Sequence, residues 1–154
     1  VGNTTRLNTT VEGMFGLNSK VKFRDITDGT SNTLAVSEVI IGFYREQGND
    51  TGDRSDCAGG AKDTSTTRQA GNSWFYAYFP QSAFFNTYVG PNGNRTVDCG
   101  QNSDRANQAA RSLHVGGVQA TMCDGSVRFI SENIDLGTWN NLGDSSDGQV
   151  LGEF

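Results

Sequence analysis

Residues Val118 to Ser131 read VQATMCDGSVRFIS, and no other stretch limits the fold so tightly. Two runs of alternating side chains flank Asp124-Gly125, a pair that favours a two-residue hairpin turn of the type I′ kind with positive φ at both positions. Pairing outward from such a turn sets Met122 opposite Val127 and Ala120 opposite Phe129. Those pairs share a face with Val118, so one face of the ribbon is apolar. The other face carries Cys123 with Ser126 and Thr121 with Arg128, and is polar apart from Ile130. A ribbon of this kind sits at the surface of an antiparallel sheet, covered on one side.

The rest of the composition agrees with a sheet protein. Only 34% of the 154 residues are hydrophobic, and 20 are glycine. Thr suits strands, whereas Gly, Asn and Ser suit turns. Fifteen aromatic residues (nine Phe, four Tyr, two Trp) can fill a core, which argues against a disordered chain. The expectation is a mainly β (α+β) fold over 1–154 as one globular domain, with an antiparallel sheet, long loops and one or two short helices. The net charge of −5 and the lack of any basic run disfavour nucleic acid and anionic membrane surfaces as partners. No apolar run approaches the roughly 20 residues that cross a bilayer.

Along the chain, Val1 to Thr10 reads as an extended arm, and Val21, Phe23 and Ile26 as a short strand. Thr33 to Tyr44 is the longest strand candidate. Its apolar run Val39-Ile40-Ile41 suggests a central strand covered on both faces. Glu46 to Asn72 is almost free of apolar residues and reads as a long loop. Ser73 to Phe79 and Ala83 to Val89 read as aromatic strands, Gly90 to Arg95 as a turn, and Arg105 to Arg111 as one or two helical turns. Asp135 is placed to cap a short helix with Leu136, Trp139 and Leu142 on one face and Gly143 at its end.

Candidate chemistry is sparse. His114, the lone histidine, and Asp124 invite a catalytic dyad, but a strand rising about 3.3 Å per residue separates them. No nucleophile, paired carboxylates, metal-ligand spacing or phosphate loop accompanies them, so enzymatic activity is not expected. The structural reading has His114 bonding backbone at the start of the hairpin and Asp124-Gly125 held by the turn. Asp25, Asp28 and Asn32 form an oxygen-rich turn, and Asp144 and Asp147 form another. Both are candidate calcium ligands, although Asx residues beside glycine also build ordinary turns. No other cofactor is implied. Asp50, Asp53, Asp56 and Asp63 read as a solvated acidic stretch. Trp74, Tyr76, Tyr78 and Phe84 belong to an aromatic concentration too dense for one core face, which makes them interface candidates. Asn3, Asn8, Asn49 and Asn94 lie in N-x-S/T sequons, a pattern that arises by chance in a Thr-rich chain.

Three blocks carry a family resemblance. His114 to Gly125 spells H-x(9)-D-G and is followed by SVRFISENID; Phe23 to Glu38 reads FRDITDGTSNTLAVSE; Trp139 to Phe154 contains W-x-x-L-G and ends in G-E-F. Together they resemble a large family of exported bacterial prepilin-like proteins, akin to type IV pilins and the pseudopilins of type II secretion. The resemblance implies that these blocks are the C-terminal half of a longer protein opening with a leader and a long apolar helix. Val1 is then the start of a fragment, a processed form or a soluble derivative. It implies a pilin-like globular head without its N-terminal helix, displayed at the cell surface or outside the cell. Its partners would be copies of itself or other pilin-like subunits in a filament or secretion assembly, with membrane contact only through that helix. In an exported protein the loop residues Cys57 and Cys99 become a candidate disulfide, with Cys123 free or paired outside this chain. Calcium bound in a C-terminal loop of some pseudopilins adds weight to Asp144 and Asp147. A surface module binding glycan, or binding through calcium, is the alternative function, motivated by the aromatic segment and the long loop.

Overall fold

The structure, a computed structural model, describes residues 13–15, 19–41, 45–46, 62–63, 71, 84–95, 98–102, 105–149, 151–152 and 154. Expectations for Val1 to Thr10, for Ser73 to Phe79, and for most of 46–72 lie outside them. The described fold is mainly β. Three strands, β1 (Leu34–Ser37), β6 (Gly117–Met122) and β7 (Val127–Ser131), form an antiparallel sheet in the order β1-β6-β7. Four short strands, β2 (Arg45–Glu46), β3 (Lys62–Asp63), β4 (Asp98–Asn102) and β5 (Arg105–Asn107), form a second sheet in the order β3-β2-β4-β5. Its β2–β4 pair runs parallel, a departure from the antiparallel expectation. The one described α-helix, α1, spans Leu136–Leu142.

The hairpin exists where the sequence places it, but its turn and register differ. Among described residues, Asn92 is the one non-glycine with positive φ, so Asp124 does not adopt the type I′ conformation. Gly125 alone turns left-handed, at φ +85°, and its N–H donates to the Met122 C=O at 3.0 Å. The Met122 N–H donates to the Ser126 C=O at 2.9 Å. This is a three-residue loop ending in a glycine bulge. The pairing therefore shifts by one residue: Thr121 faces Val127, Ala120 faces Arg128 and Val118 faces Ile130. In a strand a one-residue slip exchanges the two faces. Ile130 goes into the core, while Val127 and Phe129 turn outward, 64% and 48% exposed.

Other expectations change for equally local reasons. Phe23–Asp25 is a 3-10 turn, not a strand, and Phe23 is 74% exposed. Of the strand expected over Thr33 to Tyr44, the described part (33–41) is strand only at Leu34–Ser37, which lies at the edge of the described three-stranded sheet; β6 is its central strand, and 42–44 lie outside the described residues. A register shift between Leu34 and Val36 bends β1, and Val36 faces solvent. Arg105–Asn107 is a strand, not helix, because it pairs with β4. Residues 84–90 form no strand, and Pro91–Arg95 is a 3-10 turn.

The helix agrees with its sequence signals. The Asp135 carboxylate accepts the Thr138 N–H at 2.9 Å, and Gly143 is the C-cap. Thr138 holds the Asp135 carboxyl below the usual carboxylate range. Trp139 and Leu142 are buried, whereas Leu136 is half-exposed. Trp139 and Leu142 pack with Leu34, Phe85, Ala110, Val118, Ala120, Met122 and Ile130 into one core beneath the inner face of the three-stranded sheet. Among the described residues no helix is long and apolar enough to cross a membrane.

Candidate functional site

His114 lies in the exposed loop that enters β6. Its ring Nε2 is 3.2 Å from Glu38 Oε1, the geometry of an N–H donating to a carboxylate. The second oxygen of Glu38 accepts the Gln119 N–H at 2.8 Å. Glu38 thus clamps the end of β1 to β6 and holds the imidazole, so the histidine's partner is a side chain and not the backbone expected from sequence. Glu38 closes the Phe23 to Glu38 block, yet 76 residues separate it from His114, and nothing local marks the pairing.

Beneath the loop sits a second set of polar contacts centred on Asn92, whose φ is +59°. Its amide donates to Glu132 Oε2 at 3.1 Å, its side-chain oxygen accepts the Ser112 N–H at 3.0 Å, and its C=O accepts from Arg111 Nη1 at 2.6 Å. Ser112 Oγ accepts the His114 N–H at 3.1 Å and donates to the Gly117 C=O at 2.6 Å. The hydroxyl closest to the histidine in sequence therefore spends its proton on a backbone carbonyl. A nucleophile would need that proton directed at the imidazole. What these contacts do is brace the backbone of residues 111–117 and hold Asn92 in its left-handed conformation, against strain of about 1 kcal/mol or more.

Asp124 is at the other end of β6 and bonds its own turn. Its Oδ1 accepts the Ser126 N–H at 2.8 Å and the Ser126 hydroxyl at 2.6 Å. Those bonds hold its carboxyl below the usual carboxylate range. The Cys123 and Asp124 N–H groups donate to the Thr33 and Thr30 C=O at 2.8 and 3.0 Å, tying the turn to the segment before β1. His114 and Asp124 therefore share no site; each secures one end of the same strand.

The two candidate calcium turns, far apart in sequence, are brought together. Asp28 accepts the Asp147 N–H at 2.8 Å on one oxygen and the Gly148 N–H at 2.9 Å on the other. The Thr27 N–H donates to the Ser145 C=O at 2.9 Å beside them. Asn32 donates to the Asp28 C=O at 3.1 Å, while Asp25 accepts the Lys22 N–H at 2.9 Å. Asp144 and Asp147 accept the Ser146 and Gln149 N–H groups at 2.9 and 2.7 Å. These carboxylates are directed at backbone N–H groups. Among the described residues no group of three or more His, Cys, Asp or Glu is arranged to hold a metal ion. Asp28 is the latch of the 144–149 loop, and Asp28→Ala should cost about 1 kcal/mol by removing two hydrogen bonds to a carboxylate, the exposed N–H groups turning to water instead. Thermal unfolding should show the loss, with faster proteolytic cleavage at the loop.

Asp147 is more than a turn acceptor, because the fold disfavours its ionised form. Partial burial, then the neighbouring Asp28 and Asp144 charges, push its pKa up despite the Gln149 bond. A raised pKa means that the folded state binds the proton more tightly than the unfolded one. Asp147 thus opposes folding at neutral pH, and stability is regained as pH falls through the raised value. Asp147→Asn keeps an acceptor for Gln149 and removes the charge. The expected result is a gain of roughly a few tenths of a kcal/mol at pH 7, small because the group is exposed and screened. Melting temperatures of both proteins at pH 7 and at pH 3, below the ordinary carboxyl range, check it, the difference shrinking at the lower pH.

Cys57, Trp74, Tyr76 and Tyr78 lie outside the described residues, as do the side chains of Cys99, Asp63 and Asn94. The rest of the acidic stretch (Asp50, Asp53, Asp56) and the sequons at Asn3, Asn8 and Asn49 lie outside them as well. Cys123 is a free thiol whose pKa is raised, chiefly by burial. Phe84 is exposed. No curated protein and no solved structure matches the chain. Residues 2–137 match one family, described as protein of unknown function (DUF1559), and that span holds Asp28, Glu38, Asn92, His114 and the whole β6–β7 hairpin. A match over most of the sequence settles membership: the chain belongs to the DUF1559 family.

Proposed function

We propose that this domain is a structural subunit, the globular head of an exported pilin- or pseudopilin-like protein displayed at the cell surface. It acts by packing against copies of itself or other pilin-like subunits and performs no catalytic step. One observation carries the reading: the polar residues that stand out in sequence are engaged in fixing backbone. Glu38 and His114 hold the entry to β6, Asp124 its exit, and Asp28 the 144–149 loop. Meanwhile Val36, Val127 and Phe129 are left in solvent on one face of the sheet, where a neighbour can cover them. Membership of the DUF1559 family, and the resemblance of three sequence blocks to those of prepilin-like proteins, support the same reading.

The test is the native protein in its own cells. Immunogold imaging and fractionation should find it outside the cytoplasm, in material of far higher mass than one subunit. A dispersed cytoplasmic monomer would reject the proposal.

A further inference from the structure

Among the described residues β7 is an edge strand with an open side. The Met122 N–H bonds the Ser126 C=O, and the Glu132 N–H bonds the Gly116 C=O. Both bonds belong to one ladder phase, in which Ala120–Arg128 and Val118–Ile130 are the pairs that exchange hydrogen bonds. The N–H and C=O groups of Val127 and Phe129, and the N–H of Ser131, therefore point away from β6. The Ser131 C=O already accepts the Ile134 N–H at 3.1 Å. β7 also lacks several of the usual protections of an exposed edge. It has no proline, no lysine and no bulge within its five residues, and the one charge it does carry, Arg128, lies on the inner face, 5.0 Å over the Phe154 ring, and leaves the outward groups uncovered.

We propose that β7 pairs antiparallel with β7 of a second copy of this chain, about a two-fold axis through Phe129. The parity of the outward groups and the charge on Arg128 select this register. Centring on Phe129 overlaps all five residues: Phe129 faces Phe129 of the second copy, Val127 faces Ser131, and Arg128 faces Ile130. Moving the axis to Arg128 keeps the parity but opposes two like charges across the strand pair, which is unfavourable. Moving it to Ile130 leaves only three residues of each strand paired. The chosen register sets the two Phe129 residues opposite each other at the axis, covers Val127, and extends each three-stranded sheet into one of six. A self-complementary contact of this kind closes as a dimer. It deepens the assembly reading and rests on it by naming the surface and the partner.

Phe129→Cys tests the axis directly. Directly opposed hydrogen-bonded residues lie about 5.5 Å apart at Cα, inside the range a disulfide spans. Mild oxidation of the Phe129→Cys chain should give covalent dimer several-fold more readily than wild type. Val127→Cys should cross-link no more than wild type, since four residues offset it from its own copy. A mixture of Val127→Cys and Ser131→Cys chains should cross-link. Phe129→Lys, at a half-exposed position, should shift the sedimenting species from dimer to monomer. Equal cross-linking of Phe129→Cys and Val127→Cys, or a wild-type chain that is monomeric at high micromolar concentration, overturns the proposal. If the native protein is multimeric but the cross-linking pattern fails, the edge contact is wrong and the assembly reading stands. If the pattern holds for a protein dispersed in the cytoplasm, the assembly reading is the one that falls.

Discussion

Trp139→Ala should lower the stability of the domain by about 3–5 kcal/mol, the largest effect expected from any single side-chain truncation. Trp139 is fully buried, its ring stacks on Phe85 at 6.4 Å between centroids, and its Nε1–H donates to the Val89 C=O at 2.9 Å. Truncation removes the largest side chain of the core and leaves a cavity that β6 and α1 cannot both move to close. It also strands the Val89 carbonyl, which is irregular backbone with no strand partner. Natural domains are stable by only about 5–15 kcal/mol, so this loss consumes a large share of the total. Trp139→Phe separates the two contributions. It keeps most of the apolar volume and loses the indole donor, and should cost about 1–2 kcal/mol. Chemical denaturation of the three proteins measures both steps. A Trp139→Ala loss below 1 kcal/mol would show that the ring is not an anchor of this core.

What was legible in the sequence is what neighbouring residues decide among themselves. Asp135, Trp139, Leu142 and Gly143 specify a helix and its caps within nine residues, and the structure has that helix. Val118, Ala120 and Met122 alternate, and all three are core. The hairpin's register was not legible, because it depends on whether Asp124 or only Gly125 adopts positive φ, a difference of small energy with a large geometric consequence. Ile130, Val127 and Phe129 exchanged faces on that account. The extent of β1 was hidden for another reason. Its apolar residues continue past Ser37, but pairing stops where Glu38 turns its carboxylate to Gln119 and its C=O to the Arg111 N–H at 2.8 Å. The candidate site depends most on long-range contacts. Asp28 reaches a loop 119 and 120 residues away, and each turn alone reads as an ordinary Asx turn or a cation site. Glu38 and His114 carry no spacing that predicts their meeting, and Asn92 gives no warning that its positive φ supports Ser112 and Glu132.

The two glycines that open β6 should separate backbone conformation from space. Gly116 has φ +87° with no neighbouring atom near an added Cβ, whereas Gly117 is not left-handed, and an added Cβ would collide with the Ile130 carbonyl oxygen and approach Phe129 Cζ at 2.9 Å. Gly116→Ala should therefore cost about 1 kcal/mol, the strain of a left-handed alanine. Gly117→Ala should cost about 3 kcal/mol or more. Its chief obstacle is the backbone of a paired strand, so relief requires prising β7 from β6. The damage should spread in a definite direction. The Gly117 C=O accepts the Ser112 hydroxyl, which in turn accepts the His114 N–H, so displacing residue 117 loosens the loop that presents His114 to Glu38. Amide exchange at His114 and Gln119 should accelerate in Gly117→Ala by more than global destabilisation accounts for, while in Gly116→Ala the Gln119 amide should stay protected. Equal losses in the two variants would mean that the close approach of β6 and β7 is not what demands glycine at position 117.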